Sequence, residues 1–466
     1  MFHYGYVKQK FKELETCSPA EVRKCCMAIL ESYPFLEKAE QKEFAETLYK
    51  WAEQNATRKP LLFCYTKLIL AFSFFYREQY DEAFPMLTET QNLFTEQNDT
   101  DGAAVCATVQ GSIYRTFGNV DLALKSLWAG HEQLSKSPLF QHFLMATDIN
   151  LGGIYFEMKH YEEAIPHFKS TLEMAEPGEK YYWLIYALQG LGKVYLAQKK
   201  YTEAKECLEK AMAAAEKFNN PLSLCNSLSD LGNYYFTTGE FSEAKQFNKR
   251  ALALREQNKY IGGAVTSCIR LGEIYIKDSK PDEAVEYLEK GLTLAEQIKV
   301  KPKLYQIQLL LSEIYERKND LKKSLFHYKQ YHELREQVEV EDSARKIKNA
   351  QVVFEAEQTK KENIIIKQQK EEIEKKNIKL QETIDELTRA RIGKKARAFT
   401  LAIAIALFII EDGILHYALI VVPENSYFLS LIVKMVIIFS LSPINKAIES
   451  YLLRKVIKKA KNEVVV

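Results

Sequence analysis

The sequence predicts an all-α chain in three successive parts: a stacked array of helical hairpins, a long charged helix and an apolar helical hairpin. Three observations carry that prediction. A Leu-Gly-x-x-Tyr signature returns about every 40 residues, with glycines at 111, 152, 192, 232 and 272. Past Leu334 the rhythm gives way to a charged stretch with few glycines, in which Ile366, Ile373, Leu380 and Leu387 recur every seven residues. Two apolar runs follow, 399–422 and 427–441, on either side of a short polar segment that begins at Pro423.

The repeats come first. The fullest copy reads Leu151, Gly152, Tyr155, Tyr161, Ala164 and Phe168, and the next Leu191, Gly192, Tyr195, Tyr201, Ala204 and Leu208. Further copies begin at Leu231, Leu271 and Leu311, an earlier one holds Gly111, Tyr114, Ala123 and Leu127, and the first holds Ala71, Phe74, Tyr80, Ala83 and Leu87. Seven copies at a fixed spacing mean a stacked array, because each unit buries its apolar face only against its neighbours. Within a unit the small residues fall where two antiparallel helices must approach, and the aromatic ones fill the space around them.

This order of residues resembles the tetratricopeptide repeat, in a variant longer than that family's usual ~34 residues. The resemblance spans residues 60–335 or so and implies a right-handed superhelix that binds a protein or peptide along a concave face lined by the first helices. Carrying the family's groove positions onto this chain gives Arg115, Asn150, Gln189, Lys193, Asn226, Asn233, Glu273 and Lys277. Asn and Gln in such a row can each offer a donor and an acceptor to an extended peptide backbone. The same residues also suit an ordinary solvated helix face.

Composition narrows the function. The 466 residues carry a formal net charge of +2, which gives no whole-chain reason to expect nucleic acid as a partner. Eight scattered cysteines, with no Cys-x-x-Cys pair and no histidine spacing to match, read as reduced, mostly buried thiols. No secretory signal opens the chain, so the repeats are expected in the cytoplasm. No metal, cofactor or catalytic residue is expected, because no His-Glu-x-x-His or Gly-x-Ser-x-Gly is present and Gly190-Leu191-Gly192-Lys193 lacks the full phosphate-loop spacing.

Ahead of the array, residues 1–58 read as an atypical helical cap, with Ser18-Pro19-Ala20-Glu21 as a helix start. The array itself is expected over 59–335, and after it residues 336–394 read as a coiled-coil stalk. The isoleucines and leucines at 366, 373, 380 and 387 take a-type positions, but Lys370 and Asn377 interrupt the companion row, where only Ile384 is apolar. Such a seam either pairs two copies as a homodimer or stays a single solvated helix.

Residues 395–443 read as a transmembrane hairpin, the first run being long enough to span and the second marginal alone. Lysines and arginines flank both sides, which puts both ends on the inner side of a plasma or inner membrane. Within it Glu411, Asp412, His416 and Lys434 are costly in hydrocarbon. They read as an ion pair between the two helices, as part of an ion path, or as charges near a headgroup layer. The tail 444–466 reads as a basic amphipathic helix drawn to anionic membrane lipids.

His332-Glu333-Leu334-Arg335 resembles the phosphoacceptor box of sensor histidine kinases, and the order of array, charged helix and membrane segment resembles the front half of tetratricopeptide sensor kinases and regulators. The box lacks the Thr-Pro that should follow, and no ATP-binding domain comes after it. The expected function is therefore non-catalytic: a membrane-anchored scaffold or adaptor in signal transduction. The alternatives are an effector or channel built by the hairpin and a regulator of a separately encoded kinase or transcription factor.

Overall fold

A computed structural model of the protein describes residue 13 and residues 19–32, 38–54, 60–175, 180–421 and 426–463. Those residues form seventeen α-helices and no strand. Two helices, α1 (Pro19–Ser32) and α2 (Lys38–Gln54), precede the repeats. Repeat one is α3 (Pro60–Tyr76) with α4 (Tyr80–Glu96), repeat two α5 (Thr100–Thr116) with α6 (Val120–Leu134), and repeat three α7 (Gln141–Glu157) with α8 (Tyr161–Ala175). The next three are α9 (Tyr181–Ala197) with α10 (Tyr201–Lys217), α11 (Pro221–Thr238) with α12 (Phe241–Gln257), and α13 (Ile261–Lys277) with α14 (Pro281–Gln297). Repeat seven pairs α15 (Lys301–Arg317) with the start of α16 (Leu321–Val421), and α17 (Ser426–Glu463) closes the chain. Cys17, the cap at Ser18 and the turn at 422–425 lie outside the described residues.

Repeats two to six are held by the same few contacts. The signature glycine of the first helix lies against a large residue of the second: a Cβ at Gly152 would meet Phe168 at 2.9 Å, at Gly192 Leu208 at 2.5 Å and at Gly272 Leu288 at 2.7 Å. Only glycine lets these helices approach so closely. In repeat five the place of the large apolar residue is taken by Asn248, which is buried beside Gly232 and donates to the carbonyl of Ala244 at 2.9 Å.

The tyrosine three residues after the glycine ends the first helix. Its carbonyl receives the backbone N–H five residues on, as in Lys200 to Tyr195 (2.8 Å), Glu240 to Tyr235 (2.8 Å) and Lys280 to Tyr275 (2.9 Å). That closure requires a left-handed residue between the two. Gly118 and Gly239 supply it in repeats two and five, whereas Glu78, Lys159, Lys199, Ser279 and Asn319 are forced into positive φ elsewhere. The tyrosine ring then stacks on the second helix: Tyr155 on His167, Tyr235 on Phe247, Tyr275 on Tyr287 and Tyr315 on His327, with centroids 5.3–5.7 Å apart.

Helix α1 joins the array through Asp99, a fully buried N-cap of α5. One of its carboxylate oxygens accepts from Gly102 N at 3.0 Å; the other accepts from Arg23 Nε (2.9 Å) and the Tyr65 hydroxyl (3.0 Å). A buried carboxylate is tolerated here because a guanidinium, a hydroxyl and a backbone amide all donate to it.

Contacts divide the chain into two compact units, residues 1–360 and 361–466. The first 40 residues of α16 thus lie within the unit of the repeats. Val352, Val353 and Ala356 pack on the apolar core of the N-terminal repeats, Lys348 pairs with Asp81 and Lys301 Nζ lies 2.5 Å from Glu341. Burial and the nearby Glu357 carboxylate push the Tyr114 hydroxyl up to about 12.

In the second unit the end of α16 packs on α17. Ala396 and Ala404 are buried, and Thr400 Oγ1 donates to Asn445 Oδ1 at 3.3 Å. Pro443 sits inside α17, so the expected return arm and the expected surface helix are parts of one continuous helix. Its stretch Leu431–Val456, with mean hydropathy 1.7, is long and apolar enough to cross a bilayer. The side chains from Ile414 to Tyr427 lie outside the described residues, His416 among them.

Candidate functional site

First helices of five consecutive repeats line one cleft of about 650 Å³. Helix α5 contributes Arg115, α7 Gly153 and Glu157, α9 Tyr186, Gln189 and Lys193, α11 Asn226, Asp230 and Asn233, and α13 Arg270. Five of the eight residues carried over from the family's groove positions thus meet there. Glu273 pairs instead with Arg270 at 2.8 Å, and Lys277 is exposed at the end of α13, away from the lining.

Polar side chains of the cleft are cross-linked from repeat to repeat. Arg115 donates to Asn150 Oδ1 (3.2 Å) and to Glu157 Oε1 (2.5 Å). Gln189 is buried and donates to Ser227 Oγ at 3.0 Å. Lys193 Nζ lies 3.1 Å from Asp230 Oδ2, an ion pair across adjacent repeats. Burial holds the Asp230 carboxyl above its usual range, with Lys193 opposing that shift. The side-chain amide of Asn233, by contrast, bonds none of the described residues and faces the cleft with its donors and acceptor available.

Sequence reasoning missed Arg255. It stands on the second helix of repeat five, yet its guanidinium donates to Ser267 Oγ (2.6 Å), to the Gly263 carbonyl (3.2 Å) and to Asn226 Oδ1 (3.3 Å) and reaches the cleft. Room for it comes from Gly263, where a Cβ would lie 2.9 Å from the Arg255 side chain. The Gly262-Gly263 pair was the available signal.

Asn150 lines a second, smaller cleft of about 150 Å³, walled by Phe72, Phe75, Tyr76, Phe143, Tyr182 and Trp183. Here Trp183 Nε1 donates to His142 Nδ1 at 3.1 Å, and burial beside Lys180 pulls the His142 imidazole down to about 4. The inner surface of the array therefore offers an aromatic cleft over repeats one to four and a polar one over repeats two to six.

The tetratricopeptide repeat family profiles match residues 143–217, 187–257 and 265–298. These units are tetratricopeptide repeats. Among solved structures the chain is similar to a Rap protein complexed with competence and sporulation factor, at 15% identity and TM-score 0.50 over 72% of this chain and 99% of that one. It is also similar to aspartyl phosphate phosphatase F from Bacillus subtilis (15% identity, TM-score 0.47, 72% and 95% covered). A third likeness is to a signal transduction ATPase with a tetratricopeptide repeat sensor from Pyrococcus horikoshii (15% identity, TM-score 0.47, 72% and 53% covered). At such identities the likeness is one of fold. Curated proteins give no match.

Proposed function

We propose that the protein is a membrane-anchored tetratricopeptide scaffold that binds a protein or peptide segment along the inner face of its array. The observation that carries this reading is the cleft itself, where Asn233 presents an unengaged amide among side chains already fixed by contacts between repeats. Pre-set polar groups on rigid helices suit an extended chain, because the site loses little freedom when it binds. A Rap protein complexed with competence and sporulation factor shares the fold, which supports a partner-binding role for the array here.

Selection from a random peptide display library on the full chain in detergent tests the proposal. Enriched peptides should lose at least tenfold in affinity for the Asn233→Ala and Lys193→Ala variants. Peptides that bind both variants as well as the wild type would refute groove binding.

Anchoring is the role we assign to the hairpin formed by the end of α16 with α17. The Leu431–Val456 stretch supports it, and Glu411 Oε2 lies 3.9 Å from Lys434 Nζ, so each helix can neutralise the charge of the other. Asp412, next along, is exposed. A cysteine placed at Asn425 should react with an impermeant reagent on intact cells; protection of that cysteine would rule out a spanning hairpin.

A further inference from the structure

Three side chains that the groove does not use converge on α6, α7 and α8. Asp148 is fully buried, and its Oδ1 lies 2.8 Å from His167 Nδ1 and 3.3 Å from His131 Nε2. Its other oxygen, Oδ2, accepts from Ser170 Oγ at 2.7 Å. Among the described residues no lysine or arginine pairs with this carboxylate. A buried carboxylate with only imidazoles and a hydroxyl around it lacks a permanent counter-charge, unlike Asp99, which has Arg23.

We propose that His131, Asp148 and His167 form a binding site for a divalent transition-metal ion, held by two imidazole nitrogens and one carboxylate oxygen. The three ligand atoms all lie within 4.8 Å of one another. A four-coordinate ion with bonds of about 2.0–2.1 Å needs ligand atoms about 3.3 Å apart, so the His131–Asp148 edge of 3.3 Å fits, the His167–Asp148 edge of 2.8 Å must lengthen slightly and the third must contract. Metal binding takes the tautomer of each neutral ring in which the nitrogen facing Asp148 is bare and the opposite nitrogen carries the single N–H proton.

The surroundings are those of a supported site. Ser170 fixes one carboxylate oxygen and leaves the other for the ion. Tyr155 stacks on His167 with rings 6° from parallel, and Trp128 packs edge-on against both imidazoles at 5.2 and 5.3 Å while donating to the Tyr155 hydroxyl at 3.3 Å. Ring orientation is therefore set before any ion arrives. His131 keeps 26% of its side chain exposed, so the ion has a way in and a water can take the fourth position. Three ligands on three successive helices would tie repeat two to repeat three.

The test is Zn²⁺ titration of the full chain in detergent after chelator treatment, followed by calorimetry, with Co²⁺ as a spectroscopic probe. One Zn²⁺ per chain should bind and raise the thermal midpoint by several degrees, and Co²⁺ should give visible bands without thiolate charge transfer. Both His131→Ala, which removes the more exposed ligand, and Asp148→Asn should weaken Zn²⁺ at least tenfold, whereas His160→Ala, exposed just ahead of α8, should not. No stoichiometric binding, or binding unchanged in a folded His131→Ala protein, overturns the proposal.

Discussion

Gly192 and Leu208 occupy one space: a Cβ on residue 192 would stand 2.5 Å from Leu208 Cδ2 and 2.7 Å from its Cγ. The same apposition, first helix to second, recurs in each neighbouring repeat. Its consequence is that the glycine cannot be enlarged without pushing two helices apart. Gly192→Ala should cost about 1–3 kcal/mol through overpacking, read by urea denaturation of the full chain. The double variant Gly192→Ala with Leu208→Ala should lose less than the sum of the two single variants, because the added methyl enters space the leucine has left. A neutral single variant would mean that the helices are not held at this distance.

The turn between the two helices of repeat four makes the opposite prediction. Lys199 is held at φ 58°, a left-handed conformation that a side chain disfavours, while Gly239 fills the equivalent place one repeat later. Lys199→Gly should therefore stabilise the protein by about 0.5–1 kcal/mol. A thermal midpoint that falls would show that the lysine side chain contributes more than its backbone strain costs.

His142 gives the array an acid-sensitive point. Its imidazole is held down to about 4 by burial and by Lys180, and its Nδ1 accepts the Trp183 N–H, which it can do only while unprotonated. The folded value lies below the unfolded one of about 6.5, so between roughly pH 6.5 and 4 the unfolded chain binds the extra proton. This contribution is fully present above pH 6.5 and is lost as the pH falls through that window, by up to about 3 kcal/mol. His142→Gln should show a shallower fall of thermal midpoint over the same range. A slope equal to that of the wild type would contradict the assignment.

Pairing of two copies through the charged helix is also open to test. Ile366, Ile373, Leu380 and Leu387 are 48–66% exposed in a single chain. If they form a seam, Ile373→Asp with Leu380→Asp should convert a dimer to a monomer in light scattering of the detergent-solubilised protein. A wild type that is already monomeric, or a double variant that stays dimeric, would remove the seam from the account.

The repeats were legible because their signature is local. Gly152, Tyr155 and Ala164 fall within one helical hairpin, and the closures that end the first helices use residues adjacent in sequence. What could not be read depends on contacts between units. Arg255 enters the cleft from a second helix because Gly263 on the next repeat leaves room, and the only sequence mark of that is the Gly262-Gly263 pair on the following helix. Val352, Val353 and Ala356 lie in a stretch whose charge suggested a solvated stalk, yet they pack on repeats more than 200 residues earlier. His131, Asp148 and His167 are each about half a repeat apart, so no short motif contains them. Lys277, in the last turn of α13, is not among the residues that line the cleft.

Binding along the inner face is tested most directly by site-specific photo-crosslinking of a selected peptide. A crosslinking amino acid at Asn233 lies in the cleft, and one at Gln246 stands exposed on the second helix of the same repeat. Labelling from residue 233, competed by unlabelled peptide and absent from residue 246, is the predicted result. Labelling from residue 246 alone would move the site to the outer face and contradict the account.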